Sequence, residues 1–159
     1  MKRRELFSSL VSSFKKDEKQ EKIIRPPYFK DEDIFFTNCK DCEGICATVC
    51  EENIIFIQED FTPKLDFSSS GCTYCDKCAE ACPNEVLTIE DKKRINIKIE
   101  IDVLSCLSWN KTMCFSCKDP CLDDAIDFLG MFRPSINDSC TSCGFCIKTC
   151  PTNAIKIVS

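Results

Sequence analysis

The chain contains no histidine, which excludes imidazole metal ligation, imidazole general-base chemistry and mixed Cys/His zinc sites. It also lacks any run of about eighteen apolar residues, so the sequence predicts no membrane span. No acid–base pair or activated nucleophile stands out, and the protein is read as a non-enzyme with no catalytic residues. At 159 residues the length fits one domain or two small ones, neither with room for a large apolar core.

Positive charge is scarce outside one short stretch. The net charge is −5, yet residues 1–22 carry seven Lys/Arg against four Asp/Glu, leaving fourteen against twenty-two for the rest. An anionic body disfavours nucleic acid and suits basic partner surfaces.

Cysteine is abundant: sixteen residues, about one in ten, a density expected where sulfur itself holds the fold. They form four quartets whose first members, Cys39, Cys72, Cys106 and Cys140, lie 33 or 34 residues apart. This is a fourfold internal repeat. The second quartet, Cys72, Cys75, Cys78 and Cys82-Pro83, and the fourth, Cys140, Cys143, Cys146 and Cys150-Pro151, are both C-x2-C-x2-C-x3-C-P, the bacterial ferredoxin run. Two-residue gaps let three thiolates of one tight loop reach three corners of a cubane, while the fourth serves the other cluster of a pair. The first quartet (Cys39, Cys42, Cys46, Cys50) has an extra residue before Cys46, and the third (Cys106, Cys114, Cys117, Cys121) has a seven-residue gap. Neither ends in proline. Such differences alter solvent access and amide hydrogen bonds to sulfur, and so predict four different potentials.

The expected cofactors are four [4Fe–4S] clusters on all sixteen cysteines. If neighbouring quartets pair, the ligand sets are Cys39, Cys42, Cys46 with Cys82; Cys72, Cys75, Cys78 with Cys50; Cys106, Cys114, Cys117 with Cys150; and Cys140, Cys143, Cys146 with Cys121. A nested pairing, first quartet with fourth and second with third, is the rival. Two other uses of these residues compete. A disulfide framework needs an oxidising compartment; zinc bound by four thiolates needs only C-x2-C knuckles.

Each quartet is followed by a similar tail, such as Pro83-Asn84-Glu85-Val86-Leu87 and Pro151-Thr152-Asn153-Ala154-Ile155, read as one turn of helix and an apolar plug. Strand candidates are Ile54–Ile57, Val86–Ile89, Ile95–Val103 and Ala154–Val158. The predicted fold is α+β, two tandem bacterial ferredoxin-like units over residues 34–91 and 92–159. Residues 1–33 are expected to be an amphipathic segment and linker. Its Leu6, Phe7, Leu10, Val11 and Phe14 share one helical face, and Arg25-Pro26-Pro27-Tyr28 reads as a stiff spacer. Trp109 and Phe115 are expected to shield the third site. Arg3-Arg4 looks like a twin-arginine export motif, but polar and charged residues replace the apolar stretch that should follow, which points to the cytoplasm.

The register of quartets, Arg25-Pro26-Pro27-Tyr28, the gap after Cys106, Phe132-Arg133-Pro134 and the Arg-Arg start together resemble the NapF ferredoxin-type proteins of periplasmic nitrate reductase systems. The resemblance covers nearly the whole chain. It implies a cytoplasmic protein that contacts the catalytic molybdoenzyme subunit before export, in cluster loading or electron supply. An electron-transfer module of a larger reductase and a zinc-stabilised interaction module are the other function classes.

Overall fold

The computed structural model describes residues 22–158. The amphipathic face of Leu6 to Phe14 and Arg3-Arg4 lie outside the described residues. Regular structure is sparse and mixed: short helices α1 (Asp33–Asn38), α2 (Ile45–Thr48), α3 (Lys77–Glu80) and α4 (Phe145–Thr149), and six strands. The strands are β1 (Ile55–Ile57), β2 (Pro63–Leu65), β3 (Lys98–Ile101), β4 (Ile126–Leu129), β5 (Phe132–Ile136) and β6 (Ile155–Val158). They form three antiparallel two-stranded ribbons, β1–β2, β3–β6 and β4–β5. Isolated ribbons of this size are marginal in water, so other interactions must hold the chain together.

Two apolar clusters occupy the two halves. The larger joins Tyr28, Phe35, Ile54, Leu65, Phe67, Val86 and Leu87 to buried Cys39, Cys46 and Cys78; the smaller joins Ile99, Ile126 and Ile155 to buried Cys117 and Cys146. Thiols are thus part of both cores.

Segment 25–28 is not a solvated spacer: Arg25, Pro26, Pro27 and Tyr28 are all buried, as is Phe29. Its carbonyls are tied down, Tyr28 O accepting from Thr88 N at 2.7 Å and Pro27 O from Lys93 N at 2.8 Å. It occupies in the first half the place that β3 takes in the second, against the stretch that follows the second quartet. Prolines lack the N–H a ladder needs, so no ribbon forms there, and Val86–Ile89 is accordingly not a strand. Val86 and Leu87 still serve as buried plug. In the second half no proline intervenes, and β3 pairs with β6 from Lys98↔Val158 to Ile101↔Ile155. The Ile95–Val103 alternation is regular only over those four residues of β3.

The helical turns also lie elsewhere than expected. Cys46, Cys78 and Cys146, the third cysteines of their quartets, sit in α2, α3 and α4, which run toward the fourth, whereas each tail is a tight turn with a residue at positive φ. Those residues are Asn53, Glu85, Asp124 and Asn153, with φ between 47° and 53°, each three positions after the last cysteine of its quartet. The N–H of each bonds back to that cysteine's carbonyl oxygen, at 3.0 to 3.5 Å.

Candidate metal centres

The local chain geometry gathers the thiols by fours. Cys39 follows the end of α1, with its N–H on Phe35 O, and Cys42 N–H returns to Cys39 O at 3.1 Å. Gly44, at φ 72°, then turns the wider loop into α2. A β-carbon there would lie 2.6 Å from Ile57 Cγ1, so glycine meets both the backbone and the packing requirement. Cys39, Cys42, Cys46 and Cys82 line one cavity, closed by Phe35 and Pro63. Cys50, Cys72, Cys75 and Cys78 line a second, and Cys121, Cys140, Cys143 and Cys146 another. The cysteines outside these three cavities are Cys106, Cys114, Cys117 and Cys150. The long gap of the third quartet is held as a docked loop. Asn110 Nδ2 donates to the carbonyls of Val103, Leu104 and Cys106, and Trp109 Nε1 donates to Pro134 O at 3.0 Å. Trp109 therefore packs on the β4–β5 hairpin, while Phe115 stacks on Phe128 at 4.8 Å between centroids.

Each half repeats one arrangement. Cys78 feels the charge of Cys46 in the adjoining cavity as well as that of its own set, and Cys146 feels Cys117 in the same way. The halves meet where Cys72 N–H donates to Cys143 O at 2.7 Å. Nearby, Tyr74 Oη donates to Thr141 O at 2.6 Å, and Ser142 Oγ donates to Ile97 O at 2.8 Å.

The tail turns aim backbone donors at sulfur. Leu87 N–H points to Cys82 Sγ at 3.5 Å, Ala125 N–H to Cys121 Sγ at 3.2 Å and Ala154 N–H to Cys150 Sγ at 3.2 Å; Ser142 N–H points to Cys140 Sγ at 3.4 Å. Sequence reasoning missed this role. The signal was the Asn, Asp or Glu three residues after each fourth cysteine, since Asn and Asp tolerate left-handed backbone best. For Cys150 burial alone would raise the thiol, but donors from Thr152, Ala154 and Ile155 hold it below the ordinary value.

Elsewhere burial dominates and pushes thiols up, Cys46, Cys78 and Cys146 to about 12 and Cys39, Cys72 and Cys117 to about 11. Mutual repulsion within each set adds to this. Thiolates in these cavities therefore require a cationic centre, which is what iron supplies. All sixteen cysteines are free of disulfides. Among the described residues no three Cys, Asp or Glu groups are arranged to hold a single metal ion. A tetrahedral zinc site with Zn–S bonds of about 2.3 Å would bring its sulfurs within about 4 Å of one another. Four thiols lining one cavity, with amide donors aimed at sulfur, are the donor set that an iron–sulfur cluster takes.

The comparisons agree with this chemistry. A 4Fe-4S dicluster domain matches residues 37–86 and a 4Fe-4S binding domain matches residues 135–156. The class is therefore that of the ferredoxin-type iron–sulfur proteins. Ferredoxin-type protein NapF of Escherichia coli K12 is 33% identical over 137 residues, 83% of this chain and 82% of its own length. NapF of Haemophilus influenzae is 37% identical over 155 residues, 94% of this chain and 87% of that protein. A component of the Na(+)-translocating ferredoxin:NAD(+) oxidoreductase complex of Acetobacterium woodii is 34% identical over 71% of this chain, but over 35% of its own length. The chain belongs to the NapF family of ferredoxin-type proteins. No helix among the described residues is long and apolar enough to cross a membrane.

Proposed function

We propose that the chain holds four [4Fe–4S] clusters, one in each thiol set, and acts in the cytoplasm on the catalytic subunit of periplasmic nitrate reductase before export, by cluster loading or electron supply. The ligand sets are those of neighbouring quartets: Cys39, Cys42, Cys46 and Cys82; Cys50, Cys72, Cys75 and Cys78; Cys106, Cys114, Cys117 and Cys150; Cys121, Cys140, Cys143 and Cys146. The two ferredoxin-like units are residues 34–91 and 92–159, with Ile24, Tyr28 and Phe29 packed into the core of the first. The observation that carries this reading is that three of the four thiol sets line common cavities, in a chain of the NapF family.

Bound clusters supply one-electron redox chemistry; the chain's contribution is spacing, burial and hydrogen bonding. The contact of α2 with α3 and the bond of Cys72 to Cys143 support neighbouring first and second sites and neighbouring second and fourth sites. The anionic body would meet a basic partner surface, and no residue is assigned a catalytic role.

The test has two stages. Anaerobically purified protein should contain about sixteen irons and sixteen acid-labile sulfides per chain, four of each for every cubane, and little zinc. Zinc without labile sulfide would overturn the reading. The loaded protein should then bind the catalytic subunit that still carries its export signal, and not the exported form. Restored turnover on adding the protein to a depleted reductase, without that binding, would favour the electron-module reading that the similarity to the Acetobacterium woodii oxidoreductase component supports.

A further inference from the structure

Arg25 is the one arginine or lysine buried among the described residues, at 5% exposure. Its Nη1 donates to Thr62 Oγ1 and to Pro63 O, each at 2.7 Å, and its guanidinium lies 4.9 Å from the centroid of Phe35. Nε has no hydrogen-bond partner. Pro63 and Phe35 are both walls of the first cavity. The cation is thus bonded to one wall and stacked on the other, with water kept away. Burial disfavours a charged guanidinium there, yet negative charge at Asp60 and Glu32 favours it. Arg25 Nη1 serves the buried Thr62 and Pro63 acceptors, yet Nε stays orphaned, a cost that an uncharged side chain would not carry.

We propose that Arg25 is a fixed counter-cation of the first cluster site and raises the reduction potential of the cluster held there. Reduction adds one negative charge to an already anionic centre. A buried positive charge across a dry wall stabilises the reduced form more than the oxidised one. Asp60, exposed and accepting from Thr62 N at 3.0 Å and Thr62 Oγ1 at 2.7 Å, opposes that field from the rim. Arg25 is accordingly a positioning and tuning residue, not a ligand.

This inference rests on the four-cluster reading, and the iron count separates the two. Full-length Arg25→Gln, Arg25→Lys and Asp60→Asn proteins would be titrated anaerobically and followed by electron paramagnetic resonance, with iron and labile sulfide measured on each sample. A wild-type sample without clusters sinks the reading itself before any potential is compared. With sixteen irons retained, Arg25→Gln should move one component to more negative potential, the component that Cys42→Ser also perturbs, and leave the other three in place. Arg25→Lys should keep that component near its wild-type position, and Asp60→Asn should move it the other way. Unchanged potentials in both Arg25→Gln and Asp60→Asn would overturn the proposal. So would loss of the first cluster from Arg25→Lys as well as Arg25→Gln, which would make Arg25 a packing residue only. If only Arg25→Gln fails to hold the cluster, the sign of the shift in Asp60→Asn decides.

Discussion

The amide of Cys72 donates to the carbonyl oxygen of Cys143 at 2.7 Å, so a cysteine of the second quartet and one of the fourth share a backbone hydrogen bond. Gly71 lies beside that bond. A β-carbon at this position would sit 2.5 Å from Phe145 N and 2.7 Å from Cys143 O, and backbone atoms cannot swing aside as a side-chain tip can.

Gly71→Val should therefore part the halves locally and cost about 1–3 kcal/mol through overpacking. Iron content should stay near the wild-type value, because Gly71 ligates nothing. The magnetic interaction between the second and fourth reduced clusters should weaken. An electron paramagnetic resonance spectrum identical to wild type, in a fully loaded protein, would show that the seam does not set that spacing.

Glu85 holds the left-handed tail position that Asn53, Asp124 and Asn153 hold in the other repeats. Its side chain is exposed, so no packing compensates for the backbone strain. Glu85→Asn is expected to stabilise the first half by about 0.5–1 kcal/mol. The check is slower iron loss in guanidinium chloride, followed by cluster absorbance; faster loss would mean that the glutamate has a partner of its own.

Asn110 ties three carbonyls of the third quartet's long loop, those of Val103, Leu104 and Cys106. Asn110→Ala leaves them without this donor at a cost of about 1–3 kcal/mol, confined to that loop. The expected result is selective loss of the third cluster, seen as about four fewer irons per chain and a simpler redox titration. Uniform loss from all sites would instead place the loop in the global fold.

Removing metal altogether should unfold the described chain. Its ribbons are two strands wide, and Cys39, Cys46, Cys78, Cys106, Cys117, Cys143 and Cys146 are buried where a bound centre would tie their loops together. Oxidative chelation under reducing work-up should abolish the far-ultraviolet circular dichroism of the strands and turns. A cluster-free chain that retained that signal would mean that the apolar groups around Phe35 and Ile99 suffice.

Much of this architecture is readable from residue spacing, because thiols that must converge on a small centre leave a strict register. Strands Ile55–Ile57 and Ile155–Val158 follow from apolar runs beside the quartets. Other features depended on partners that local sequence does not display. The Pro26-Pro27 stretch resembles a spacer, yet it is buried because Tyr28 and Phe29 find Phe35 and the second quartet's tail far along the chain. Val86–Ile89 has strand composition but faces prolines. The β4–β5 hairpin was hidden by Pro134 and by the shift in register between Phe128 and Leu129; Gly130, at φ 67°, was its one local sign.

The pairing of β3 with β6 has a consequence for synthesis. A ribosome delivers the N-terminal part first, and everything that closes the first half, from Ile24 to Lys93, is contiguous in that part. That half can fold around its thiols while Lys98–Ile101 still waits for Ile155–Val158. During that interval Cys72 N–H has no Cys143 carbonyl to bond. The seam at Cys72 and Gly71 is therefore the part of the first half that is covered last.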